Sequence, residues 1–209
     1  MQAARSLRQH AKSCLGGLAF SKNWMEARQE KAERDAVLEM VQATSKRFRE
    51  VPEVRELEKQ CTYDIHIRIP DRFKFLVLSG PSKLGNTRYV QGALVANPNQ
   101  ALILDCADAV IPALKDNFVR GEHKLIMYDE AHAEMIIRCK KVFQSGINYV
   151  QIGSSPTNCF LQTFYLHAVK MVIGSNTWTQ ELAKLADDDR EWIKENSVHV
   201  IIDSALWIA

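Results

Sequence analysis

"FLVLSGPSKLGNTRYV", Phe75 to Val90, joins an apolar run of strand length to a glycine-bracketed loop and then to a segment able to start a helix. The loop, Gly80-Pro81-Ser82-Lys83-Leu84-Gly85-Asn86-Thr87, departs at a single position from the phosphate-binding pattern G-x-x-x-x-G-K-[ST]. Asn86 stands where the pattern has lysine. Such a loop needs a strand before it, glycines where the backbone approaches phosphate, and a helix whose first amides face the anion. Phe75–Leu78 supply the strand, Gly80 and Gly85 bracket the turn, and the residues from Asn86 onward begin the helix. Thr87 falls where a hydroxyl would hold Mg²⁺. The loop pattern alone has little specificity; its strand and helix flanks give it more.

Outward from this stretch, further apolar runs at Ala101–Leu104, Lys124–Tyr128, Val169–Ile173 and Val198–Ile202 alternate with helix-like segments. Strands separated by helices predict βαβ units and a mostly parallel sheet. Runs that are apolar throughout, rather than alternating, fit strands covered by helices on both faces.

Two of these runs end in chemistry. "KLIMYDEA" (124–131) ends in Asp129 and Glu130. In a phosphate-loop enzyme the first acid of such a pair binds Mg²⁺ through water and the second activates the attacking water. Acids at a strand end also cap helices, so the pair means little without its company. "KMVIGSNTW" (170–178) ends in Asn176, whose amide can hydrogen-bond both a terminal phosphate and the attacking water. All three elements fall at the carboxyl ends of predicted strands, where ligands bind in open α/β sheets.

These three stretches resemble motifs A, B and C of superfamily-3 helicases. More narrowly, they are similar to the helicase domain of Rep-like replication initiators of circular single-stranded DNA viruses and their relatives integrated in eukaryotic genomes. The resemblance spans roughly residues 70 to 207. It implies a three-layer P-loop NTPase fold, AAA+-like, with ATP and Mg²⁺ as cofactors. It places Gly80, Pro81, Ser82, Lys83, Gly85, Asn86, Thr87 and Arg88 around the nucleotide, and Thr87 and Asp129 on the metal. Glu130 is the implied base and Asn176 the sensor. "CKKVFQSGINYVQIGSSPTN" (139–158) falls where the family has a DNA-contacting hairpin, making Lys140, Lys141 and Gln144 the implied nucleic-acid contacts. The resemblance also implies a homo-oligomeric ring acting on single-stranded DNA or RNA, with Arg190 as the residue offered to a neighbouring site.

Three departures qualify the activity. Residues 1 to 70 hold only His10 and His66, with no H-x-H pair, so the nicking endonuclease domain of the family is not expected. The hairpin loop "GSSPTN" (153–158) has no lysine or arginine, where that of the family is typically basic. Asn86 removes the cation that bridges the outer phosphates; losing one preorganised donor costs on the order of 10²–10³ in rate. Lys83 and Arg88 flank the gap without occupying the right position. The expected function is therefore a helicase-type ATPase with impaired hydrolysis. A nucleotide- or nucleic-acid-binding assembly protein and a decayed viral gene copy stand as alternatives.

The rest of the chain sets bounds. At 209 residues, 46% hydrophobic and 25% charged, it suits one sizeable core, and a net charge of +2 advertises no nucleic-acid surface by itself. Five scattered cysteines with no C-x-x-C pair argue against a disulfide framework or a zinc site and fit a reducing intracellular compartment. No apolar run reaches the ~18 residues of a membrane helix. The first 25 residues lack Asp and Glu but carry Arg5, Arg8, Lys12 and Lys22. They read as a basic tail or a transit peptide, which leaves nucleus, cytoplasm and mitochondrion open. Helix formers dominate Trp24 to Arg49, where Pro52 is expected to close the helix, and a second short helix is expected over Glu53–Gln60. The expected divisions are a tail over 1–22, a helical segment over 23–68 and the P-loop domain over 69–209.

Overall fold

Phe75–Ser79 (β1) is buried at every position, with Phe75 and Val77 packed into one apolar cluster and Leu76 and Leu78 into another. A strand with two buried faces must lie inside a sheet covered on both sides, and it does. The computed structural model describes residues 28–30, 32–33, 36–37, 47–55, 71–106, 114, 117–152 and 162–208. Five strands, β1, Ala101–Asp105 (β2), Leu125–Asp129 (β3), Lys170–Ser175 (β6) and Ser197–Ile201 (β7), form one sheet in the order β2-β3-β6-β1-β7, with every pairing parallel. All five coincide with apolar runs of the sequence to within a residue or two. Val150–Ile152 (β4) and Gln162–Phe164 (β5) form a separate antiparallel pair.

Asn86–Ala93 (α1) covers one face through Tyr89 and Val90. Ala133–Arg138 (α2), Lys140–Phe143 (α3), Trp178–Leu182 (α4) and Asp187–Asn196 (α5) cover the other through Ile136, Phe143, Trp178 and Ile193. The fold is thus α/β in three layers around a central parallel sheet. Each fully buried large side chain, such as Phe75 or Ile126, contributes about 1.5–3 kcal/mol of transfer free energy.

The chain divides into two compact units, residues 1–44 and 45–209. In the first, the described residues between 28 and 37 are helical, with Gln29 donating to Glu33 at 3.1 Å. Residues 47–55, which the sequence groups with the helices of 23–68, belong to the second unit, where Val51 and Val54 are buried against the sheet. Pro52 opens a helical turn over 52–55 instead of closing a helix, and residues 47–51 just before it are not helical. Proline suits the first helical position, where its missing N–H is not needed. The tail of 1–22, most of the two N-terminal helices and the hairpin loop 153–158 lie outside the described residues. No helix among the described residues is long and apolar enough to cross a membrane.

On the edge strand, His199 shares a 2.6 Å hydrogen bond with the buried Ser79 and meets the Trp178 ring edge-on. The residue is exposed, but partial desolvation of the ring beside Ser79 pulls its imidazole below the ordinary histidine value. The unfolded chain then binds protons more readily than the native one, so stability is full above a pH of about 6.5, falls as pH descends from there toward the lowered native value, and levels off below it. The urea midpoint should drop between neutral and mildly acidic pH, and His199→Gln should flatten that drop.

Candidate functional site

Three strands that are far apart in sequence lie side by side as β3, β6 and β1, and their carboxyl ends present Asp129, Asn176 and the glycine loop together. The chain leaves β1 for the far edge of the sheet and returns to β7 on its other side, so the loops diverge here and leave a crevice. Gly174 makes room for the acid: a Cβ there would stand 2.7 Å from Asp129 Oδ1 and 2.7 Å from Met127 Cε.

The loop is clasped from behind. Gly80 abuts the Ile202 carbonyl, at 2.1 Å from where a Cβ would be, and the Ile202 N–H donates to Ser79 O at 2.7 Å. The Leu206 N–H donates to Leu84 O at 3.0 Å, and the Trp207 ring lies on Gly85. Gly85 has φ 96, the left-handed region, and caps α1 with backbone alone. No side chain caps this helix and no acid sits in its first turn. Its N-terminal amides and dipole are therefore left for an anion.

In front of the loop lies a cavity of about 210 Å³, lined by Ser82, Lys83, Leu84, Gly85, Asn86, Thr87 and Arg88 from the loop side and by Asp129, Glu130 and Asn176 from the strand ends. Thr87 Oγ1 donates to Asp129 Oδ2 at 3.1 Å. Asn176 Nδ2 donates to Glu130 Oε1 at 2.5 Å and to Ser82 Oγ at 2.9 Å. A hydroxyl beside a carboxylate is a hard-oxygen pair that suits Mg²⁺. Desolvation raises the Glu130 carboxyl above its ordinary value, Asp129 adds to the shift, and the Asn176 bonds oppose it. That direction favours a base that accepts a proton near neutrality.

Asn86 presents the misfit. Its Oδ1 is buried without a hydrogen-bond partner, an acceptor where a phosphate site needs a donor. Lys83, held at φ 71, and Arg88 both line the cavity and are its nearest cations. Cys106, at the end of β2, is no nucleophile: burial, then Asp105 and Asp129, push its thiol up to about 12.

The remaining sequence-derived residues lie elsewhere. Gly80 lies against Ile202, and Pro81 is exposed beside it. Arg190 sits on α5, exposed, where it donates to Asp187 and to Leu185 O. Lys140 pairs with Asp189 at 2.9 Å and lies over the Trp192 ring, while Gln144 is buried and donates to Asn196 at 3.0 Å. Both side chains join α3 to α5. Lys141 is exposed. Among the described residues no cluster of three or more His, Cys, Asp or Glu side chains could hold a metal.

Sequence reasoning did not single out Glu181, His132, Gly174 or Trp207. Only Glu181 carried a signal, an acid three and four residues from Trp178 and Leu185 and hence on the apolar side of its helix.

This fold and site are those of an α/β protein with a strand–glycine loop–helix at the carboxyl end of an inner strand of its parallel sheet. Among solved structures, the chain is similar to NtrX from Brucella abortus, determined in complex with ATP, with 11% identity and a TM-score of 0.41 over 86% of this chain and 44% of that one. It thus spans less than half of that protein's length. No family model and no curated protein matches the chain.

Proposed function

We propose that this chain is a P-loop nucleotide-binding protein of the helicase type whose hydrolytic step is impaired. One observation carries the reading: Thr87, Asp129, Glu130, Asn176 and Ser82 converge on one cavity at the uncapped N-terminus of α1. The amides of the loop and of the first turn of α1 would hold the phosphates of ATP. Thr87 and Asp129 would hold Mg²⁺, which supplies charge neutralisation at those phosphates. Glu130 would take the proton of the attacking water, and Asn176, already bonded to Glu130 and Ser82, would fix that carboxylate relative to the loop. The finer reading, action on single-stranded DNA or RNA within a homo-oligomeric ring, rests on the resemblance of the three motifs. Lys141 is its most accessible candidate contact and Arg190 the arginine offered to a neighbour.

The orphaned Asn86 carbonyl supports a second reading, a protein that binds and assembles without turnover. Binding of a fluorescent ATP analogue tests what both share. Saturable binding, strengthened by Mg²⁺, is expected, with the Mg²⁺ effect lost in Thr87→Ala and Asp129→Ala. Absence of binding with and without Mg²⁺ would reject both.

A further inference from the structure

Glu181 is a carboxylate that is only 9% exposed, yet both of its oxygens are occupied. Oε1 accepts from Nδ1–H of His132 at 2.6 Å and from the Thr177 hydroxyl at 2.9 Å, and Oε2 accepts from the Ala133 N–H at 2.7 Å. His132 and Ala133 closely follow Glu130 in the chain, and Thr177 directly follows Asn176. One buried side chain on α4 therefore ties together the two loops that carry Glu130 and Asn176.

Glu130 requires such a restraint. It sits at φ 55, in the left-handed region, which a residue with a Cβ adopts only when its surroundings impose it. The Ala131 N–H bond to Gly174 O, at 3.2 Å, is one restraint. The bonds to Glu181 are shorter and charge-assisted, and they hold the next two residues. We propose that Glu181 is a positioning residue that holds Glu130 in its left-handed conformation and so keeps the Glu130 carboxylate on Asn176. The catalytic consequence rests on the reading of Glu130 as the base; the conformational claim does not.

The test compares Glu130→Gly with Glu130→Ala in the ligand-free full chain. Both lose the carboxylate, and only glycine escapes the left-handed strain; the greater unfolded-chain entropy of glycine is common to both backgrounds, so the change in its advantage between them reads that strain. With Glu181 present, the urea midpoint of Glu130→Gly should exceed that of Glu130→Ala by about 0.3–1 M. In a Glu181→Ala background the backbone relaxes, and the advantage should vanish. An equal advantage in both backgrounds would overturn the proposal, because uncoupled sites add. Should Glu181→Ala not fold, Glu181→Gln replaces it. It keeps one acceptor without the charge, so the advantage must shrink, and an undiminished advantage is again fatal.

A second readout uses nucleotide. In an Asn86→Lys background, Glu181→Gln should leave nucleotide Kd within about twofold and lower kcat by roughly tenfold or more, as expected of a misplaced base. An unchanged kcat would overturn the catalytic half. The unfolding comparison involves no nucleotide, so its result stands even if the nucleotide-site reading fails.

Discussion

On the proposed function, Asn86→Lys is expected to raise ATP hydrolysis by on the order of 10²–10³, the usual worth of one preorganised donor at a site of developing charge. The position is prepared for it. Asn86 is the first residue of α1, on the loop side of a cavity whose other side holds Asp129, Glu130 and Asn176. The asparagine leaves a buried carbonyl oxygen unpaired, which costs about 1–3 kcal/mol of stability on its own. The lysine variant should therefore be no less stable than the native chain before any nucleotide is added. DNA-stimulated phosphate release from the two proteins, measured side by side, decides the matter. Robust release by the native protein would sink the impaired-site reading, and none from either would show that more than a lysine is missing.

Gly85→Ala should be a strongly damaging small substitution in the site. The residue holds φ 96, and a Cβ would stand 2.3 Å from the Trp207 ring. Left-handed strain of about 1–2 kcal/mol and overpacking of about 1–3 kcal/mol together predict a loss of about 2–5 kcal/mol. Nucleotide binding should disappear with it, because the turn aims the first amides of α1. Gly121 provides the control, with φ 99 and open space around its missing Cβ. Gly121→Ala should bear the strain without the collision and leave binding intact. Adding Trp207→Ala to Gly85→Ala should restore part of the stability in urea unfolding. If Gly85→Ala and Gly121→Ala lose equal stability, the C-terminal residues do not brace the loop.

Much of the fold was legible because it rests on local pattern. Five apolar runs bounded by turn residues became five parallel strands, and the glycines of 80–87 became a strand-to-helix turn. Pro52 misled because proline both ends one helix and begins another, and only the burial of Val51 and Val54 beside it decides which. The sequence points to Lys140 and Gln144 as nucleic-acid contacts, from the position and charge of their stretch. Their partners Asp189 and Asn196 stand about 50 residues away, beyond any local pattern.

By itself the sequence determined the strands, the glycine-loop turn, and the identities of the acids and amide at the strand ends. These depend on apolar periodicity and on backbone freedom at single positions, both of which act within a few residues. Only the tertiary structure decided that β6 lies between β1 and β3, and hence that Asn176 bridges Ser82 to Glu130. It alone decided that Trp207 backs Gly85 and that Glu181 joins the loops that carry Glu130 and Asn176. Strand order and long-range contacts follow from how whole faces bury against one another, a condition on the entire core that no short stretch encodes.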